Sequence, residues 1–364
     1  MEGAGLTSES IGAVSALSAV GICWFLASGG PMLSYFGPIR TLQIGMACMM
    51  LGLLALSLPL GVIGLVGAIA IGFGNGPNTP AGSLILMRAA PPRHRTLIFS
   101  IKQAGVPLGG ALAGLVSAPF AVQHGVLPTL AMLGAVLMAC CLAVQPLRAT
   151  LAEERQEDGR GWARAMFQPN EVMRCIAALR SHPSLPMLTA VGASYSLMQA
   201  CLTAFTATFI YTRHGLSLTE AGQVVAAMLL GSMCGRVVLG WLADRVGNAL
   251  RHLGGQAILS ALSVVMLVEI GGNSLAVLYA CASVVGFTGI GWNGIHIAEL
   301  ARVAPDALVS RVTSASSLFG FGASVCGPLI FMVLVVVGGY DIAFFAMSAQ
   351  LACFGIICVL VRQR

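Results

Sequence analysis

This sequence predicts an all-α integral membrane protein of eleven transmembrane helices in two pseudo-symmetric halves, on three observations. Of its 364 residues, 57% are hydrophobic and only 9% are charged, where a soluble domain carries about 25% charged residues. The apolar residues fall in runs long enough to cross a bilayer, which takes about 20 residues per helix. The basic residues gather in alternate connections between those runs. Such a chain has too few charges to cover a soluble surface. Composition therefore excludes a soluble enzyme, a disordered protein and a nucleic-acid binder. The net charge of +6 is not a phosphate-binding patch, because it is scattered in short clusters.

The runs are bounded by polar residues, Gly or Pro at about 8–30, 40–60, 62–86, 97–121, 126–145, 184–210, 219–241, 252–271, 274–300, 308–336 and 340–361. Their length excludes strands, and a transmembrane barrel would show ten-residue alternation instead. A helix satisfies its backbone polar groups internally, so a helical bundle is the fold that fits. Arg40 follows the first span, and Arg88, Arg93, His94 and Arg95 follow the third. Arg148, Arg155, Arg160, Arg164, Arg174 and Arg180 fill the connection after the fifth. Arg245 and Arg251 follow the seventh, Arg302 and Arg311 flank the turn after the ninth, and Arg362 and Arg364 end the sequence. The opposite connections hold Arg213 with His124 and His214. By the positive-inside rule the Arg-rich side is cytoplasmic, and so is the C-terminus. The inner membrane of a bacterium is the expected location; a single lysine, Lys102, beside 18 arginines suggests a GC-rich genome.

The hydrophilic stretch 146–182, with Glu153, Glu154, Glu157 and Asp158, reads as a solvated cytoplasmic linker with a short surface helix, or as a docking site for a partner. It separates an N-terminal half, 1–145, of five helices from a C-terminal half, 183–364, of six. The 11 cysteines lie in apolar segments, with no CxxC pair and no Cys/His cluster at metal-ligand spacing. No metal, cofactor or disulfide framework is expected.

Shifting the chain by 210 residues brings the halves into register: Gly12 on Gly222, Gly21 on Gly231, Gly30 on Gly240, Gly37 on Gly247 and Gly45 on Gly255. Gly5-Leu6-Thr7 falls on Gly215-Leu216-Ser217. The offset drifts to 214 where Arg88-Ala89-Ala90-Pro91 meets Arg302-Val303-Ala304-Pro305. Parallel halves of this kind are a transporter architecture. The span at 184–210 has no counterpart in the first half. The expectation is an eleven-helix version of a twelve-helix bundle, lacking the helix that would precede Gly5.

After the seventh span comes Gly240-Trp241-Leu242-Ala243-Asp244-Arg245-Val246-Gly247. This resembles the Gly-x-Leu-Ala-Asp-Arg-x-Gly loop of the major facilitator superfamily, at the expected cytoplasmic turn. Gly240 would let helices approach closely. Asp244 would pair with a base or cap a helix N-terminus. Arg245 would offer a bidentate partner, and Gly247 would permit the turn. The resemblance implies that the loop latches the cytoplasmic side in the outward-facing state, with Glu299 and Arg302 near it. In the first half the counterpart is Gly30 to Gly37, where Ser34 and Tyr35 replace acid and base, and Ile85 stands where Glu299 would align. The segment Lys102 to Gly110 is similar to the glycine-proline segment of the family's fifth helix. Val106 precedes Pro107 where the antiporter form has Gly, so antiport is not inferred.

The resemblance implies that the first and fourth helices of each half line a cavity. Polar spacing points independently to the same helices. Ser196, Gln199, Thr203 and Thr206 share one face, as do Thr288, Trp292, His296 and Glu299 with Asn293 beside them. Asn75, Asn78 and Thr79 cluster around Pro77. Polar side chains at membrane depth are costly unless they face protein or water. The substrate-cavity candidates are therefore Asn75, Asn78, Gln199, Thr203, Trp292, Asn293 and His296. Structural alternatives stand beside each: Thr203 bonded back to its own helix, the two Asn relieving a proline break, Trp292 as packing, His296 in a helix–helix hydrogen bond and Glu299 in an ion pair with Arg302 at i+3 or with Arg245. His296 and Glu299 are the proton-coupling candidates.

The expected activity is secondary transport of a small organic solute by alternating access, with protons as a candidate coupling ion. The alternative is a transport-inactive remnant or sensor. No catalytic residue is assigned, because no HExxH, GxSxG or paired-carboxylate arrangement occurs. The expected partners are the lipid bilayer and the solute, with the chain monomeric.

Overall fold

A computed structural model of the chain describes residues 8–58, 61–146, 148, 161–271 and 274–360. The acidic run of the linker from Glu153 to Asp158, with Arg155 and Arg160, lies outside the described residues, as do Gly5-Leu6-Thr7, Arg362 and Arg364. Among the described residues every regular element is helical, and none is a strand. The chain order begins α1 (Ser8–Ser28), α2 (Gly30–Phe36), α3 (Pro38–Ser57), α4 (Gly61–Asn75) and α5 (Asn78–Ala89). Then come α6 (Arg95–Leu112), α7 (Ala118–His124), α8 (Val126–Ala143), α9 (Trp162–Met166) and α10 (Pro169–Ala177). The remainder is α11 (Ser184–His214), α12 (Leu218–Val246), α13 (Ala249–Glu269), α14 (Leu275–Val285), α15 (Asn293–Val303) and α16 (Val309–Leu360).

Local sequence explains several boundaries. Ser217 and Glu220 form a reciprocal capping box that starts α12, with the Ser217 Oγ accepting from Glu220 N at 3.2 Å. Asn248 and Ser274 cap α13 and α14 through their side chains. Gly37 and Gly247, paired by the repeat, end α2 and α12 with positive φ of 77° and 74°, a conformation that costs glycine little.

By length and apolarity, eight described helices can cross a membrane, or nine if α1 and α2, bent by 68° at Gly29, form one span. The expected eleven is not reached by that measure. One run differs from a straight span. The run at 62–86 is broken at Gly76 and Pro77 into α4 and α5, each too short alone. The two runs beyond 308 form two helices, grouped here as α16, separated by a kink at Gly339, whose φ of 80° is not helical.

Two compact units account for the chain. The first comprises 1–88, 110–179 and 306–318, and the second 89–109, 180–305 and 319–364. Each is packed through glycines. In the first unit a Cβ on Gly21 would overlap the Ile69 carbonyl, and one on Gly72 the Ser18 carbonyl. In the second, Gly231 lies against the Ser283 carbonyl and Gly286 against that of Met228. Shifted by the repeat offsets of 210 and 214, these are the same two contacts. Both units thus use one device: small residues let backbones approach closely enough for dispersion to hold helices together in lipid.

Candidate functional site

The second unit brings most of the predicted cavity residues together. The π-helical turn Gly286–Ile290 leads into Trp292 and α15. A π turn displaces the backbone hydrogen-bond ladder, and such bulges often occur at functional sites. Gln256 Nε2 on α13 donates to the Thr288 carbonyl at 2.8 Å. The Thr288 hydroxyl is 3.0 Å from that of Ser263. These partners fix the direction in which α15 starts.

Trp292 is buried and donates from Nε1 to Gln199 Oε1 on α11 at 3.0 Å. Its ring stacks on Tyr195 at 5.0 Å and 14°. Tyr195 in turn donates to the Leu253 carbonyl at 2.9 Å. His296, one turn beyond Trp292, packs on Gly192, where any Cβ would overlap the imidazole. Its Nε2 lies 3.0 Å from the Leu188 carbonyl. A carbonyl only accepts, so Nε2 is the protonated nitrogen in this contact.

Beside this group, Asn293 accepts from Gln103 Nε2 on α6. Arg236 on α12 is 3% exposed, and its Nη1 donates to the Gln103 carbonyl at 2.6 Å. Its Nε has no hydrogen-bond partner, and no carboxylate among the described residues forms an ion pair with it. A buried guanidinium without a counter-charge carries a heavy desolvation cost. Arg236, Gln103 and Tyr195 are not among the site residues expected from the sequence. Arg236 was detectable, because it is the charged side chain in the interior of the run 219–241, where charge at depth is a functional signal.

The remaining candidates are placed differently. Thr203 is exposed, and its hydroxyl donates back to Gln199 and Ala200 carbonyls at 3.0 and 3.1 Å. Asn75 and Asn78 belong to the first unit, exposed on either side of the α4–α5 break.

The loop motif has a defined geometry in the second unit. Asp244 accepts from the backbone N–H groups of Thr96 (3.0 Å) and Leu97 (2.9 Å) at the start of α6. A carboxylate there satisfies orphan donors and faces the positive end of the helix dipole. Gly240 and Gly294 both abut Ser100 on α6, leaving no room for a Cβ. Arg245 lies over the Trp241 ring at 3.8 Å rather than beside an acid. Glu299, 4% exposed, is gripped by Arg302 through both oxygens at 2.6 Å each.

The profile of the Major Facilitator Superfamily matches residues 1–315. The chain belongs to the major facilitator superfamily. As a superfamily member it is a multi-pass membrane protein of a transporter family. An uncharacterized MFS-type transporter of Mycobacterium tuberculosis is 25% identical over 342 residues, covering 91% of this chain and 72% of the relative. The human organic anion transporter MFSD10 (TETRAN) shares the fold with a TM-score of 0.72 at 17% identity, over 95% of this chain and 82% of its own. The E. coli fucose:proton symporter FucP does so with a TM-score of 0.70 at 12% identity, over 96% and 98%. Superfamily membership and these folds point to transport rather than catalysis.

Proposed function

We propose that this superfamily member is a secondary active transporter of a small organic anion, working by alternating access in a bacterial inner membrane with its C-terminus in the cytoplasm. The observation that carries the reading is Arg236. A buried guanidinium whose described partner is one backbone carbonyl favours a solute that brings a negative charge. Gln103, whose carbonyl Arg236 holds, pairs through its amide with Asn293, and the neighbouring Trp292 joins Tyr195 and Gln199. Such a set of groups suits a solute with a carboxylate, an apolar or ring body and a few hydrogen-bonding groups.

The proposed driving force is a proton gradient. His296 and Glu299, on α15 beside Trp292 and Asn293, are groups that can change charge. Both Glu299 oxygens are held by Arg302, so His296 is the first to test. The chain is expected to work as a monomer.

The test is uptake into liposomes containing the purified protein, against a panel of organic anions and neutral sugars, with and without an imposed pH gradient. Saturable uptake of an anion, and none of the sugars, is expected. Binding without flux would instead mark a transport-inactive sensor. If H296A and E299Q both keep the pH dependence of uptake unchanged, the proton role of those residues is wrong.

A further inference from the structure

The first-half loop has lost its acid and base to Ser34 and Tyr35, yet the first unit is not without a charged contact at the corresponding place. In the second unit Asp244 meets the start of α6 at Thr96 and Leu97. The offset of 214 carries those two positions onto Ser310 and Arg311, at the start of α16. There the linker supplies the carboxylate. Glu171, on α10, is 5% exposed, and its Oε2 pairs with Arg311 Nη2 at 3.6 Å. Its Oε1 pairs with Arg174 at 2.6 Å. A crevice at this place is lined by Gly29, Gly30, Leu33, Glu171, Ser310 and Arg311.

A second contact stands at the other lost position. In the second unit Arg245 lies over Trp241. In the first, Tyr35 stacks on Trp162 of linker helix α9, at 6.3 Å and 18°. Phe36 meets the same indole edge-on at 5.1 Å. Met166 of α9 completes a buried cluster with Phe25 and Met32. Cys175, one turn past Glu171, is buried with its Sγ 3.4 Å from the Leu26 carbonyl and 3.5 Å from that of Arg311.

We propose that the linker is a built-in latch: Glu171 on Arg311, with Trp162 on Tyr35, replaces the charges missing from the first-half loop, and the linker must release this contact in each transport cycle. A carboxylate is buried here only because two arginines hold it. A linker carrying its own carboxylate makes the first-unit latch depend on where the linker sits. The inference rests on the transport reading for its consequence, but its structural half can be measured without transport.

The experiment uses the full-length protein. Burial pushes the Cys175 thiol up to about 12, so it reacts slowly with a maleimide while the linker is seated. Labelling is read at Cys175 by peptide mapping, since ten other cysteines are present. E171Q and R311Q are each expected to speed Cys175 labelling about tenfold, between the effects of exposed and buried pairs. In liposomes both are expected to change the maximal uptake rate while leaving KM near the parent value. Cys175 that stays protected in both variants would overturn the latch. So would faster labelling with an unchanged maximal rate, which would make the contact purely structural. Absence of flux in the parent protein, with the labelling difference intact, would count against the transport reading and leave the linker contact standing.

Discussion

At the scale of single residues, three ionisable groups illustrate different degrees of legibility. Asp244 is legible because its motif places an acid at a cytoplasmic turn, and capping a helix N-terminus is one of two roles that chemistry allows. It accepts from Thr96 and Leu97, so D244A is expected to cost about 1 kcal/mol of stability, read as a lower melting temperature in detergent. Arg236 was visible as a charge inside an apolar run, but its significance comes from its surroundings, a single carbonyl partner and an unpaired Nε. R236Q is expected to lower kcat/KM for an anionic solute about 100-fold, the size of losing a charged hydrogen bond. R236K should not restore it fully, because an ammonium lacks the guanidinium fork. Glu171 was not legible. It lies in a hydrophilic linker, where acids are ordinarily solvated, and its partner Arg311 is distant in sequence.

At the scale of elements, hydrophobic run length located the helices well because lipid leaves the backbone no partners but its own. Run length could not show that 62–86 breaks at Gly76 and Pro77, whereas the gap between the runs 308–336 and 340–361 coincides with the non-helical kink at Gly339. The glycine periodicity was legible as a repeat, and its physical meaning lies in the matching approaches of Gly21 to Ile69 and Gly231 to Ser283. G231A forces a Cβ into a carbonyl, and the expected cost is about 1–3 kcal/mol of stability, measured by thermal unfolding. The π turn at Gly286–Ile290 gave no sequence signal. Its repair by Gln256 predicts that Q256L, which leaves the Thr288 carbonyl without that donor, destabilises by about 1–3 kcal/mol and impairs uptake by letting α15 shift.

At the scale of the whole molecule, a chain of superfamily fold carries a buried cation, Arg236, whose described partner is the Gln103 carbonyl. Retaining such a group against its desolvation cost makes sense if a counter-charge arrives with the solute. Shared polar faces on 184–210 and 274–300 pointed to two of the helices that carry the proposed site. They missed the contribution of α6 and α12, because Gln103 and Arg236 are single polar residues whose meaning depends on which helices pack together. The most direct measurement is counterflow of a labelled organic anion in liposomes preloaded with the same unlabelled anion, comparing the parent protein with R236Q. The account predicts saturable counterflow in the parent and its collapse in R236Q, with both proteins equally folded. Equal counterflow in the two proteins, or none of any anion in a folded parent, would contradict it.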